Sequence, residues 1–269
     1  MGKAARAKSR NREDILANED RCIYCLNPPE TVEHMPPRSA FRAKQRPSGM
    51  EFACCGECNR VTSHSDVVAA YFARLGAHEK PGDWQFDESL YYERMLRQRV
   101  PGVLEEIYDR EGENVYVYNK AGVMEPMKRV HGDGPILRAH LTVFGAKLGM
   151  AYFREHMGKP LTVEGGVSTL FFLNGGMSET FLNTILADMP QYGNLHQGKF
   201  TSQGQFDYRY AAAQDGLVAL TRLQTGMHFL TFAMEKVDAA PPLEGSEFVR
   251  PGELYARVPQ AIRRPRLLA

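Results

Sequence analysis

Two cysteine pairs carry the clearest chemical signal in this sequence. Cys22 and Cys25 form one C-x2-C knuckle, and Cys55 and Cys58 form a second. A pair spaced this way turns both sulfurs toward one point, and two pairs supply the four thiolates of a tetrahedral zinc ion. All five cysteines lie in the first quarter of the chain, an odd number in a tight cluster, which a disulfide framework does not produce. Cys54 offers a competing C-x3-C with Cys58. Cys55 is the preferred ligand, because the x2 spacing lets backbone N–H groups support both sulfurs and leaves Cys54 as a small buried residue. The gap between knuckles exceeds that of a zinc ribbon, so something is inserted there.

The insert holds Glu33-His34-Met35-Pro36-Pro37, and Asn59, Ser63, His64 and Asp66 follow the second knuckle. Imidazole is a suitable base at neutral pH, and carboxylate and amide oxygens suit hard divalent cations. Neighbours on a strand point to opposite faces, so Glu33 and His34 converge on one site only through a bend; Pro36 and Pro37 stop the strand from continuing. Asn59 serves equally well as a helix N-cap. His64 lies off the helical face shared by Asn59, Ser63 and Asp66, and Asp66 is a candidate partner for the arginines of residues 38–46.

In combination, C-x2-C, then EHMPPRSAF at residues 33–41, then CGECNRVTS at residues 55–63 with Asp66 beyond, resembles the HNH endonucleases, the zinc-stapled form of the ββα-metal nucleases. The likeness covers residues 20–78. It implies a structural zinc on Cys22, Cys25, Cys55 and Cys58, with His34 as general base. It also implies Glu33 and Asn59 as ligands of one catalytic Mg²⁺ or Mn²⁺, and hydrolysis of phosphodiester bonds in DNA or, less directly, RNA. One departure stands out: many members carry an Asn between the base and the helix that orients the histidine, and here there is none between His34 and Asn59. Glu51 or a backbone carbonyl is left to hold the ring. The alternative is a catalytically inactive zinc-stapled module that binds nucleic acid or a partner.

The charge distribution supports a polyanionic partner more than the net charge does. The total is +1, yet residues 1–12 carry Lys3, Arg6, Lys8, Arg10 and Arg12 without an acid, leaving −4 for the rest. Arg38, Arg42, Lys44 and Arg46 form a second acid-free stretch inside the motif region, and Arg257, Arg263, Arg264 and Arg266 a third at the end. Cations beside a phosphodiester site give salt-sensitive affinity for nucleic acid. Composition is that of a globular chain, 43% hydrophobic and 24% charged, which excludes a disordered or fibrous one. No apolar run reaches the ~20 residues of a membrane helix, and residues 1–12 are no secretory signal. The expectation is a cytoplasmic protein with no membrane partner.

Around these residues the pattern predicts an α+β fold. It comprises a basic arm and lead-in (1–19), a ββα zinc module (20–78) and a larger mixed α+β domain (79–269). Helices are expected over residues 13–20, 65–75, 87–97, 103–108, 136–156 and 178–189. Strands are expected over 114–119, 206–213, 217–223 and 228–234. Residues 76–84 read as a linker. In the strand at 206–213, alternating Phe206, Tyr208 and Tyr210 present either a core face or a base-stacking one.

Overall fold

The structure, a computed structural model, describes residues 12–75, 82–108, 114–118, 121–128, 131–173 and 177–259. The fold is α+β. Helix α1 (Arg12–Asn18) leads into the cysteine region, where strands β1 (Thr31–His34) and β2 (Glu51–Cys54) form an antiparallel hairpin, followed at once by helix α2 (Gly56–Phe72). Then come α3 (Trp84–Arg99), α4 (Val103–Ile107), the hairpin of β3 (Asn114–Tyr118) with β4 (Met124–Lys128), and the long helix α5 (Pro135–Met157). Strand β5 (Gly166–Leu173), helix α6 (Glu179–Ala187), β6 (Gln191–Gly193) and the short pair β7 (His196–Gln197) and β8 (Phe200–Thr201) precede β9 (Phe206–Ala212), β10 (Gly216–Leu223) and β11 (Met227–Met234). The last helix is α7 (Leu254–Arg257). An antiparallel sheet runs β5-β11-β10-β9-β6.

Helix α5 organises the molecule. It lies between this sheet and α2, so it is buried on all sides over most of its length, as an apolar helix without a polar stripe must be. Gly145 and Gly149, one turn apart, let it approach the sheet: a Cβ at either would collide with Thr169 or Val167 of β5. Residue 147, two positions from each, points the other way, toward α2 and the hairpin. Among the described residues no helix is long and apolar enough to cross a membrane.

Most expected elements are present with shifted ends. Helix α2 is the main exception: the periodicity of residues 65–75 marks only its second half, whereas the helix begins at Gly56 with Cys55 as its cap. Its first turns carry sulfur ligands and polar contacts instead of apolar spacing, so the pattern there is silent. Strand β5 gave no signal either. The domain boundary at 78/79 lies outside the described residues. On either side of it, one continuous set of buried side chains runs from Cys22 to Val258. Cross-links include Gln224 Nε2 donating to Ala40 O (2.7 Å), Gly226 N to Ala73 O (3.2 Å) and Gly252 N to Tyr24 O (2.8 Å).

The glycine contact sets a sign that helix propensity alone gets wrong. Ala is better than Gly in a helix by about 1 kcal/mol, yet Gly149→Ala is expected to destabilise by about 1–3 kcal/mol through overpacking against Val167. The midpoint of denaturant unfolding measures this; a rise in stability would show that the helix and sheet separate freely.

Candidate functional site

The four predicted cysteines converge. Their sulfurs, Cys22, Cys25, Cys55 and Cys58, all lie within 4.8 Å of one another, and Cys25 Sγ is 3.6 Å from Cys55 Sγ. A tetrahedron with Zn–S bonds of about 2.3 Å has edges of about 3.8 Å, so the donor set fits a structural metal such as zinc. The knuckles supply the expected amide support: Tyr24 N–H donates to Cys22 Sγ (3.4 Å) and Cys58 N–H to Cys55 Sγ (3.3 Å). Cys54 stays outside the ligand group. Its thiol is buried 3.8 Å from Cys22 Sγ and donates to Cys55 O. The cluster ties the 22–25 loop to the β2–α2 junction, and thereby seats the hairpin on the helix.

The hairpin has two chemically distinct faces. Register pairs His34 with Glu51 and Glu33 with Phe52, so the pleat sends His34 and Glu33 in opposite directions. On the outer face, His34 is part-exposed, with Nε2 4.0 Å from Glu51 Oε1. Glu51 thus stands across from the ring where the resemblance leaves an orienting residue missing. Burial, with Arg46 and then Arg38 adding repulsion, lowers the His34 pKa from 6.5 to about 4. Burial therefore favours the neutral imidazole.

Arg46 is not a surface cation. Its guanidinium lies 3.5 Å from Glu51 and donates to the carbonyls of Pro36 (2.7 Å), Pro47 (2.9 Å) and Gly49 (2.6 Å), fastening the loop between the strands. With its donors turned inward, it is not available to phosphate, contrary to the sequence expectation. Arg38, Arg42 and Lys44 on the same loop are exposed. The Arg42 guanidinium sits 5.3 Å from the centre of the Trp84 ring. Lys44 Nζ is 5.1 Å from that of Tyr91 and donates to its hydroxyl (3.3 Å). The loop that follows β1 thus sets its cations against aromatic rings of α3, forming a cationic ledge. Arg12 is also exposed and donates to Glu30 O (3.0 Å); Lys3, Arg6, Lys8 and Arg10 lie outside the described residues.

The inner face holds an ion cluster that sequence reasoning missed. Lys147 of α5, with no exposed surface, places Nζ 2.6 Å from Asp66 Oδ1 and 3.1 Å from Glu33 Oε1. The ring of Tyr24 lies 5.7 Å away. Burial opposes the ammonium, but Asp66 and Glu33 outweigh it and hold Lys147 protonated. Burial pushes the Asp66 carboxyl up, against the pull of Lys147. Asp66 therefore pairs with α5 and not with the arginines of residues 38–46. Asn59 Nδ2 donates to Thr31 Oγ1 (3.4 Å). The one available signal was Lys147 itself, the sole charge between Leu141 and Phe153.

This arrangement does not fit the catalytic Mg²⁺ or Mn²⁺ that the resemblance implies. The Glu33 carboxylate already binds an ammonium. A divalent ion about 4 Å from that ammonium would meet a repulsion of roughly 8 kcal/mol at an effective dielectric of ~20. Glu33 and Asn59 as ligands of such an ion are thus not assembled. Of the other candidates, burial and Arg99 lower the His64 pKa, and Ser63 Oγ donates to Arg60 O within its own helix. In β9, Phe206 and Tyr208 are buried and Tyr210 stacks on His156 (3.9 Å between ring centres), so those aromatics belong to the core. No protein-family model, curated protein or solved structure matches the chain.

The cysteine assignment separates neighbours. Cys58→Ala is expected to lose the bound zinc and unfold the hairpin–helix, since binding free energy at such sites is folding free energy of order 10 kcal/mol. Cys54→Ala should keep one zinc per chain. Elemental analysis of the purified variants checks both; zinc retained in Cys58→Ala with Cys54→Ala depleted would reverse the assignment.

Proposed function

We propose that the chain is a nuclease-like phosphodiesterase acting on nucleic acid, DNA in the first place, with His34 as general base. The observation that carries this reading is the placement of His34: a part-exposed imidazole on the outer face of β1, 4.0 Å from the Glu51 carboxylate, with its pKa lowered by burial and by Arg46 and Arg38. A histidine meant only to bind phosphate would gain from being charged, whereas a base must be unprotonated. In this reading, a ring nitrogen of His34 takes the proton of the attacking hydroxyl or water as the new P–O bond forms, the P–O bond to the leaving sugar oxygen breaks, and that oxygen takes a proton from solvent. Arg38 faces the charge that gathers on the phosphate, and Arg42 and Lys44, backed by Trp84 and Tyr91, hold the strand through charge and stacking.

A second reading is favoured by the capture of Glu33 and Asp66 by Lys147: a zinc-stapled module that binds nucleic acid without cutting it. Plasmid nicking and RNA cleavage, each with Mg²⁺, with Mn²⁺ and with divalent ions chelated, divide the two. His34→Ala is expected to lower cleavage by about 10²–10⁴-fold and leave binding within twofold. If wild type cleaves nothing under any of these conditions, the second reading stands and the first is lost.

The pH dependence has a definite sign. The pKa of His34 is depressed, so the base stays competent as pH falls below 6.5 and is lost only near pH 4. Cleavage at pH 5.5 should therefore remain close to its value at pH 7. A rate that halves near pH 6.5 would point to a different base.

For binding, Arg42→Ala with Lys44→Ala should weaken affinity and reduce the slope of log K against log salt by about one to two phosphate equivalents. An unchanged slope would remove the ledge from the interface.

A further inference from the structure

We infer that Lys147 is a built-in cation for the hairpin–helix site: its ammonium takes the place of a divalent ion between Glu33 and Asp66, and the native chain binds no divalent metal there. The inference goes beyond the proposed activity and stands whether or not the chain cleaves.

The two carboxylates come from elements that a metal would be expected to bridge. Glu33 projects from the inner face of β1, and Asp66 from α2, two helical turns after Asn59. Among the described residues, the cation that ion-pairs with both is Lys147, whose Nζ lies 3.1 Å and 2.6 Å from their oxygens. Lys147 reaches it from the middle of α5, a helix pinned on its other side by Gly145 and Gly149 against β5. The side chain therefore enters from a rigid support, is fully enclosed, and has no solvent into which to withdraw. An ammonium offers fixed charge and three donors. Unlike a divalent ion it does not exchange, and it requires no open coordination position. The arrangement keeps the hairpin closed on α2 and keeps Glu33 away from any ligand on the outer face.

The test uses the full, zinc-loaded chain and Mn²⁺ alone as probe, with free Mn²⁺ followed by electron paramagnetic resonance. Wild type is expected to bind no stoichiometric Mn²⁺ up to millimolar concentrations. Lys147→Ala, which leaves both carboxylates and empties the space of the side chain, should bind one Mn²⁺ per chain, at least tenfold more tightly than wild type. Glu33→Gln combined with Lys147→Ala should lose it again. The melting temperature of Lys147→Ala should rise on adding Mn²⁺, while that of wild type stays fixed. The inference is overturned if wild type binds one Mn²⁺ that Glu33→Gln abolishes, or if folded Lys147→Ala gains no Mn²⁺ affinity. Should Lys147→Ala not fold, the wild-type titration with its Glu33→Gln control decides alone: no Mn²⁺ bound supports the inference, and one bound through Glu33 ends it. Since no arm reads cleavage, failure of the hydrolase reading leaves the result intact.

Discussion

The ammonium of Lys147 has no exposed surface and touches carboxylates on two other elements, Glu33 on β1 and Asp66 on α2. Taking an ion out of water costs several kcal/mol, and removing one partner of a buried pair leaves an uncompensated charge worth roughly 3–5 kcal/mol of destabilisation. The three elements are therefore not free to shift separately. The hairpin must present Glu33 inward, α2 must be turned so that Asp66 meets it, and α5 must stand at one height along both. Glu33 and Lys147 are more than a hundred positions apart in the chain, so this contact forms only when the whole molecule does.

From that constraint follows the division of the hairpin. A slip of one residue in β1 would exchange its faces, putting Glu33 against Glu51 and His34 into the ion cluster. The cluster rejects that register. The cysteine set restrains the hairpin further, because it fixes the junction of β2 and α2 within a few ångströms of the 22–25 loop. The two devices secure opposite ends of the hairpin. Beyond the end held by the ion cluster, the loop of residues 35–50 closes the hairpin, and there Arg46 is turned inward to bind carbonyls while its neighbours Arg38, Arg42 and Lys44 stay outside. A buried, fully bonded guanidinium thus ties the loop to both strand ends.

The central helix connects this region with the sheet. An α-helix covered on both sides has no solvent face on which to place charge, so a charged residue in it requires a partner at hand. Lys147 has two. The same helix uses glycine where it meets β5 and sends Lys147 and His140 to Asp66 and Ser65 of α2. The sheet behind it thus acts as the base on which the hairpin–helix site is held.

The sequence by itself determined the parts whose chemistry is local. The knuckle spacing picked out Cys22, Cys25, Cys55 and Cys58 and set Cys54 aside, because sulfur geometry over three residues is fixed by the backbone. The periodic apolar segments placed α5 and strands β9, β10 and β11 to within a residue or two. What the sequence left open depends on residues distant in the chain. By residue type alone Glu33 suits a metal ion and Arg46 a phosphate, since type tells what a side chain can do and not which partner reaches it first. The start of α2 and the whole of β5 were silent, their positions being set by ligand geometry and by packing against α5. Tertiary structure alone decided that Lys147 stands between Glu33 and Asp66, because burying a charge is a property of the assembled interior and leaves only a lone lysine in an apolar run as its trace.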